Sequence, residues 1–208
     1  MEYLFIHGHG QNSSSWDKTL SYLDKRYNFT SLDLLTLIND KEATYENLYK
    51  GFSEYCNKIS DPINLCGLSL GGLLSLNYVL DYPEKINTLI LIGTPDKIPN
   101  FLFKIQIGIF KIMPESVFQH IGYKKKDFMQ ILSSLVNFDL SKNLKSILCS
   151  TLIIRGNKDI FNIKASKRLA ENIQNSNLVI IENSGHTVNT DNPKQLALEI
   201  VKFYEQYK

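Results

Sequence analysis

Residues 63–72 read INLCGLSLGG, and residues 73–80 continue as LLSLNYVL. The first part is a short apolar run typical of a buried strand, and the second is an apolar run that favours a buried helix. Ser69 stands at the junction, with Gly67 two residues before it and Gly71 two residues after it. Because glycine lets a strand and a helix approach closely, we expect a strained strand-to-helix turn that exposes the Ser69 hydroxyl above a sheet.

Two other interpretations of this turn are open from the local sequence. The glycines can serve only as a tight connection, with Ser69 capping the helix that follows. Alternatively, Gly67, Ser69 and Gly72 imitate the phosphate-binding pattern GxGxxG, but a serine replaces the middle glycine and blocks close approach to the backbone. No Gly-Lys-Ser/Thr follows, which disfavours a phosphate loop. The choice between these interpretations therefore depends on the residues in the remaining turns of the chain.

Three further turns each follow a run that predicts a strand. YLFI at 3–6 precedes HGHG at 7–10, TLIIR at 151–155 precedes GNKD at 156–159, and LVII at 178–181 precedes ENSGH at 182–186. The carboxyl ends of parallel strands meet at one edge of a sheet, so the side chains of these turns are expected to converge. The chain then supplies a serine, an acid and a histidine in that order.

These motifs resemble the α/β-hydrolase superfamily over nearly the whole chain. Residues 7–10 are similar to its oxyanion turn, and residues 67–72 are similar to its nucleophile elbow. Residues 156–159 and 184–186 resemble its acid and histidine turns, and Asn192-Pro193 resembles the start of its last helix. Four ordered matches make a chance resemblance improbable.

The resemblance implies a role for each matching residue. Ser69 would attack a carbonyl carbon, His186 would remove and return its proton, and Asp159 would orient the imidazole. The backbone N–H groups of His9 and Leu70 would form the oxyanion hole. A serine hydroxyl is a weak nucleophile at neutral pH, so it needs a base such as histidine that titrates near pH 7.

The predicted fold class is α/β, a doubly wound, six-stranded and mostly parallel sheet that lacks the first two strands of the family. In the family's numbering the expected strand order is 4-3-5-6-7-8. The chain is expected to be a single domain over residues 1–208, with a short helical lid inserted at about 95–148. Residues 34–38 read LLTLI where the family has a glycine-rich turn, so this loop is expected to differ. Strands are predicted near residues 2–7, 28–33, 62–68, 87–92, 150–155 and 177–182.

Several candidate residues have alternatives. Asp96 follows the predicted strand at 87–92, where some family members carry their acid, and it is a rival to Asp159. His7 and His9 have the spacing of metal ligands along a strand, but no third ligand and no cysteine pair accompany them, so no metal is expected. With His7 and His9 assigned to the oxyanion turn, His186 is favoured over His120 as the base.

The predicted lid is dense in apolar residues. Ile105, Ile107 and Ile109 alternate as in a strand, but the length of the apolar run favours a helix. Such a segment can line an acyl pocket, although packing on the sheet explains most of its residues equally well. Trp16, Ile107 and Phe110 are the candidates for contact with the substrate.

The composition is that of an ordinary globular chain of 208 residues with 43% hydrophobic residues and a net charge of +2. The mixed charges give no basic surface for nucleic acid. Cys56, Cys66 and Cys149 are an odd number without disulfide spacing and are expected to be reduced. No signal-peptide pattern and no apolar run long enough to span a membrane occur, so we expect a cytoplasmic protein without a membrane span.

The function expected from the resemblance is hydrolysis of a carboxylic ester or thioester with an apolar acyl group, without a cofactor. Carbon–carbon bond hydrolases and lyases of the same fold use the same triad and remain an alternative, as does a non-catalytic binding protein of this fold. Lys124, Lys125 and Lys126 form either a solvated helix start or a docking point for an acidic acyl carrier protein.

Overall fold

The protein is described by a computed structural model over residues 1–24, 26–38, 41–98 and 100–207, without the side chains of Asn100, Phe101, Leu102 and Gln106. Within this part the strands form one sheet in the order β2-β1-β3-β4-β5-β6, and all neighbouring pairs are parallel. The predicted fold class and strand order are confirmed, and each strand end lies within one residue of its prediction. The strands are Glu2–Ile6 (β1), Asn28–Leu32 (β2), Ile63–Leu68 (β3), Ile86–Ile92 (β4), Ser150–Gly156 (β5) and Ser176–Ile181 (β6).

Helices connect the strands and cover both faces of the sheet. The crossovers between parallel strands need a connection of this length, and a helix supplies it. The α-helices in the described residues are Asp17–Ser21 (α1), Tyr45–Asn57 (α2), Leu70–Asp81 (α3), Asn100–Ile112 (α4), Glu115–His120 (α5), Lys125–Ser134 (α6), Ile163–Asn172 (α7), Val188–Asp191 (α8) and Pro193–Gln206 (α9).

Local sequence explains where the helix α2 begins and which face it buries. The Thr44 hydroxyl oxygen accepts a hydrogen bond from the Asn47 backbone N–H, which satisfies one free donor of the first turn. Leu48, Phe52 and Cys56 are fully buried at helical spacing. These three residues therefore form the core-facing stripe of this helix.

Side-chain alternation along the strands divides the core into two clusters. Leu4 and Ile6 of β1 point into a cluster that includes Leu48 and Phe52 of α2. Phe5, which lies between them, points into a second cluster with the helix α9. Because successive strand residues face opposite sides, the sheet is covered on both faces.

The connection between β4 and β5 contains the three helices α4, α5 and α6. The region predicted as a helical insertion is thus helical, and the alternating isoleucines lie in the helix α4. Phe118 of α5 and Phe128 of α6 are buried, and their rings are 5.0 Å apart. The Ser134 hydroxyl of α6 accepts a hydrogen bond of 2.8 Å from the Tyr45 N–H of α2, so α6 is held against the first turn of α2.

The loop after β2, which was predicted to differ from that of the family, is helical. Residues 34–38 form a short 3-10 helix whose Leu34 and Ile38 are buried. The Leu34 backbone N–H donates a hydrogen bond of 3.1 Å to the Nε2 atom of His7. This contact joins the loop to the turn that follows β1.

The remaining predictions concern the environment of the chain. Cys56, Cys66 and Cys149 are free thiols, and the first two are buried. In residues 1–24, 26–38, 41–98 and 100–207, no helix combines the length and the apolar character needed to cross a bilayer. The cytoplasmic location stays a prediction.

Candidate active site

Ser69 lies at a strained turn between β3 and α3. Its backbone has φ 53° and ψ −110°, a left-handed conformation that is rare for a residue with a side chain. A Cβ atom at Gly67 would collide with the Gly71 carbonyl, and one at Gly71 would collide with the Ile6 carbonyl. Both glycines are therefore required for the close approach of strand, turn and helix, as the motif predicted.

The turn at residues 7–10 lies beside Ser69. A Cβ atom built on Gly8 would stand 3.4 Å from the Ser69 Cβ. Leu70 is the first residue of α3. N–H groups in the first turn of a helix have no acceptor within the helix, and the N–H of Leu70 is one of them. In the described part of the chain, neither this N–H nor that of His9 has a hydrogen-bond acceptor. The two donors predicted for an oxyanion hole are thus on the turns that flank Ser69.

The structure brings Asp159 and His186 together. The Nδ1 atom of His186 lies 2.9 Å from Oδ2 of Asp159, whose side chain is 2% exposed, whereas that of His186 is 42% exposed. A Cβ atom on Gly93 would be only 3.0 Å from His186 Nδ1, so the imidazole packs against the backbone just after β4. The Ser69 N–H donates to the Ile92 carbonyl at 2.8 Å, which places Ser69 at the same strand end.

Asn162 is a further member of this group that the sequence analysis missed. Its Nδ2 atom donates to Asp159 Oδ2 at 2.8 Å and lies 3.2 Å from His186 Nδ1. Since both nitrogens face the same carboxylate oxygen, both act as donors, and the proton of a neutral His186 is on Nδ1. Nε2 is then the nitrogen that can accept a proton from another group.

Asp159 is arranged to stay ionised beside the imidazole. Burial raises its pKa, but the hydrogen bonds from His186 and Asn162 outweigh burial, and the pKa of Asp159 lies below its ordinary value. The Arg155 guanidinium also donates to the backbone carbonyl of Asp159 at 3.1 Å, which braces the turn. A carboxylate held in this way can stabilise an imidazolium.

The rival acid Asp96 has a different partner. It is fully buried and forms a bidentate ion pair with Arg168, in which Nε lies 2.8 Å from Oδ2 and Nη2 contacts Oδ1. Both oxygens of its carboxylate are therefore engaged by one guanidinium. This ion pair joins the segment after β4 to α7. Of the two acids, Asp159 is therefore the one that contacts His186.

A pair of side-chain amides, also missed from the sequence, connects the turn at 7–10 to the loop that carries His186. The Gly8 N–H donates to Gln11 Oε1 at 3.2 Å, and Gln11 Nε2 donates to Asn189 Oδ1 at 3.2 Å. Asn189 is fully buried at the start of α8. No local signal identifies such a pair, because its members are 178 residues apart in sequence.

The two histidines of the turn at 7–10 differ in burial and in contacts: His7 is fully buried, whereas His9 is half-buried with both ring nitrogens shielded from solvent. His7 Nε2 accepts the Leu34 N–H, so Nδ1 carries the proton and donates to the Gly8 carbonyl at 2.9 Å. His9 packs its ring at 3.9 Å from the Phe128 ring, and neither of its ring nitrogens has a hydrogen-bond partner among the described residues. His7 has no free nitrogen for a metal, which weakens the metal interpretation of this pair.

Burial of His9 predicts that acid destabilises the fold. Burial lowers the pKa of His9 from 6.5 to about 3, so the unfolded chain binds a proton first as pH falls, and stability is lost below the unfolded pKa. We expect His9 to account for a loss of about 2 kcal/mol in the free energy of unfolding at about pH 5. Urea unfolding at several pH values measures it.

The matched control is His9→Phe, which keeps a ring against Phe128 but does not titrate. The pKa of His7 is also lowered by burial. This variant should therefore keep the loss of stability in acid that is due to His7 and should lack the loss that is due to His9. Parallel stability–pH curves for the parent and His9→Phe would contradict the assignment.

The three candidates for substrate contact do not form one group. Ile107 is buried and Phe110 is half-buried in the cluster on the α2 side of the sheet. Trp16 is fully buried and packs edge-on against Phe5 in the other cluster. Trp16 therefore supports the fold from behind the turn at 7–10, and its side chain is not available to a ligand that contacts Phe110.

Proteins named as a lipase and as an esterase match nearly the whole chain. The chain is 22% identical to human monoacylglycerol lipase ABHD6, over 96% of this chain and 74% of that protein. It is 25% identical to the pimeloyl-[acyl-carrier protein] methyl ester esterase of Wigglesworthia glossinidia brevipalpis, over 97% of this chain and 92% of that protein.

Solved structures agree on the fold. MenH from S. aureus has a TM-score of 0.82 at 19% identity and covers 100% of this chain and 94% of its own. The putative lipase lip1 from Acinetobacter baumannii has a TM-score of 0.79 at 21% identity, over 99% and 84%. The family model described as alpha/beta hydrolase fold matches residues 4–120. Since this match covers more than half of the chain, the protein belongs to the α/β-hydrolase family.

Proposed function

We propose that this protein is a serine hydrolase that cleaves a carboxylic ester or thioester with an apolar acyl group. The observation that carries the proposal is the 2.9 Å contact between His186 Nδ1 and Asp159 Oδ2 at the sheet edge where Ser69 occupies a left-handed turn. A base with its tautomer fixed by a buried acid, at the sheet edge that also carries a half-buried serine, is the arrangement that can activate a hydroxyl. The names of the lipase and esterase relatives support the same chemistry.

The proposed reaction has two half-reactions. His186 Nε2 takes the Ser69 proton while Oγ bonds to the acyl carbon, and the resulting oxyanion is held by the N–H groups of His9 and Leu70. The imidazolium then protonates the leaving alcohol or thiol, which departs as the acyl–oxygen or acyl–sulfur bond breaks. A water molecule, deprotonated by His186, then bonds to the acyl carbon, and the acyl–Oγ bond breaks as the imidazolium returns the proton to Ser69 Oγ, which releases the carboxylic acid. Asp159 stays ionised and stabilises the imidazolium in both halves.

The apolar character of the acyl group is inferred from the side chains around His9. The Phe128 ring packs against the His9 ring at a tilt, and the Phe110 and Phe118 rings lie 5.1 and 5.0 Å from Phe128. A Cβ atom on Gly10 would be 3.4 Å from Ile121 and from Phe128. We therefore propose that residues 95–148 act as the lid and that its aromatic side chains contact the acyl chain once it is bound.

A series of p-nitrophenyl esters from acetate to decanoate tests the proposal. We expect turnover with an optimum at intermediate or long chains, because each buried methylene adds about 0.8 kcal/mol of binding until the pocket is filled. A fluorophosphonate probe should label the parent protein at Ser69. Absence of turnover across the series, together with absence of labelling, would contradict a serine hydrolase, whereas labelling without ester turnover would favour the carbon–carbon bond chemistry.

A further inference from the structure

The helix α4 is apolar on two opposite sides. Ile107 is 9% exposed, and Phe103 and Phe110 on the same side pack on the core. Ile105, Ile109 and Ile112 face outwards with 48%, 54% and 84% of their surface exposed. Their spacing of four and three residues places these three isoleucines on one stripe of the helix. A helix on the surface of a globular protein normally carries polar residues on such a stripe.

Packing on the core accounts for the apolar residues on the inner side of α4 but not for those on its outer side. Phe110 packs at 5.1 Å from Phe128, and Phe128 lies on His9. The inner side thus belongs to the layer that covers the proposed oxyanion hole. The outer isoleucines leave about half or more of their surface open to solvent, and an exposed stripe of this kind marks an interaction surface.

Positive charge flanks the outer stripe. Lys104 and Lys111 are exposed, are seven residues apart and therefore lie on one flank of the isoleucines. Neither of them forms an ion pair within the described residues. Residues 95–148 contain eight lysines and four acidic residues, so this segment has a net charge of +4 in a chain of +2. The rest of the chain is therefore slightly acidic, and the net positive charge lies in the segment that contains α4.

We propose that the α4 surface, defined as Lys104, Ile105, Ile109, Lys111 and Ile112, docks on an anionic lipid surface. An apolar stripe with lysines along one flank is the pattern of a helix that lies in the plane of a lipid interface. Its isoleucines enter the boundary between headgroups and acyl chains, and its ammonium groups contact lipid phosphates. A second copy of this chain fits less well, because a two-fold contact through α4 would place the same lysines against each other.

A second exposed apolar site lies at the same edge of the sheet. Ile160 and Phe161 follow β5 and are 67% and 81% exposed, and the exposed Lys158 and Lys164 flank them. α4 follows β4, the neighbour of β5, so both sites extend from the carboxyl edge that carries Ser69. Docking through this edge turns the proposed active site towards the lipid. The inference goes beyond the proposed function and does not require that Ser69 be catalytic.

Flotation of the full chain with vesicles tests the docking. One set of vesicles is phosphatidylcholine alone, and the other contains phosphatidylcholine with about one third phosphatidylglycerol. We expect binding to the anionic vesicles that is about tenfold stronger than to the neutral ones and that weakens with added salt. The triple variant Ile105→Ser/Ile109→Ser/Ile112→Ser and the double variant Lys104→Glu/Lys111→Glu should each lower binding by about tenfold or more.

Leu148→Ser is the matched control. Leu148 is 65% exposed and apolar, but it precedes β5 and lies at the opposite edge of the sheet. This variant should bind vesicles as the parent does. Ser69→Ala should also bind normally, and the α4 variants should keep turnover of a water-soluble ester, so loss of docking and loss of catalysis are separable. Unchanged thermal unfolding of the variants shows that they fold.

Three results would overturn the proposal. The first is that the protein does not bind anionic vesicles, or that it binds neutral vesicles as strongly as anionic ones. The second is a loss of binding by Leu148→Ser as large as that of the isoleucine variant. The third is a stable dimer in sedimentation velocity that the isoleucine variant dissociates, because the stripe would then belong to an interface between copies of this chain.

Discussion

Replacing Ser69 with alanine is expected to lower kcat/KM for ester substrates by about 10⁴-fold or more. The variant retains the proposed oxyanion donors and the proposed acyl site but has no atom at position 69 that can form the acyl bond. His186→Ala should cause a loss of similar size, and the double variant should be no worse than the single ones, because the groups act as a unit. Steady-state turnover of the best p-nitrophenyl ester measures these losses.

Ser75→Ala is the matched control for this experiment. Ser75 lies in α3, six residues after Ser69, is fully buried, and donates its hydroxyl to the Gly71 carbonyl at 2.8 Å. Removal of that bond should cost about 1 kcal/mol of stability and leave turnover close to that of the parent. Fluorophosphonate labelling should be lost only in the Ser69 and His186 variants. Turnover by Ser69→Ala near the parent rate would remove the nucleophile from the proposal.

The strands and their ends could be predicted because both depend on short-range pattern. Five of the six strands are rich in apolar residues and are closed by a turn that contains glycine, and their ends follow from this. The exception is β2, which reads NFTSL and is followed by no glycine, so its place came from the resemblance to the family. The helix α4 was harder, since its isoleucines fit both a strand and a helix, and only its length favoured the helix. The strand order came from the resemblance to a family and not from the apolar pattern.

The contacts within the candidate site were predictable only in part. Ser69, Asp159 and His186 follow three different strands, and parallel strands place them at one edge of the sheet. Asn162 and the amide pair of Gln11 and Asn189 were missed, because an asparagine or glutamine in a loop has the same local pattern whether it binds a carboxylate or water. Such partners depend on distances between chain segments that a single sequence does not contain.

Asp159 and Asp96 lie near the same edge of the sheet, and substitutions of these two acids should have opposite effects on turnover and stability. Asp159→Asn should reduce kcat by about 10³- to 10⁴-fold, because a neutral amide no longer stabilises the imidazolium of His186 or holds its tautomer. Its effect on folding should be small, since the amide has nearly the shape of the carboxylate and can still form hydrogen bonds with Asn162 and His186. Asp96→Asn should do the reverse and leave turnover nearly unchanged.

The expected cost of Asp96→Asn is stability. The substitution leaves the Arg168 guanidinium without its carboxylate, and removal of one partner of a buried pair typically costs 3–5 kcal/mol. The Arg168 side chain is 32% exposed and can recover some hydration, so we expect about 2 to 3 kcal/mol. Urea unfolding and ester turnover, measured on both variants, separate the two acids. If Asp96→Asn abolished turnover in a folded protein while Asp159→Asn stayed active, the acid of the triad would be Asp96, and the contact between Asp159 and His186 would be structural only.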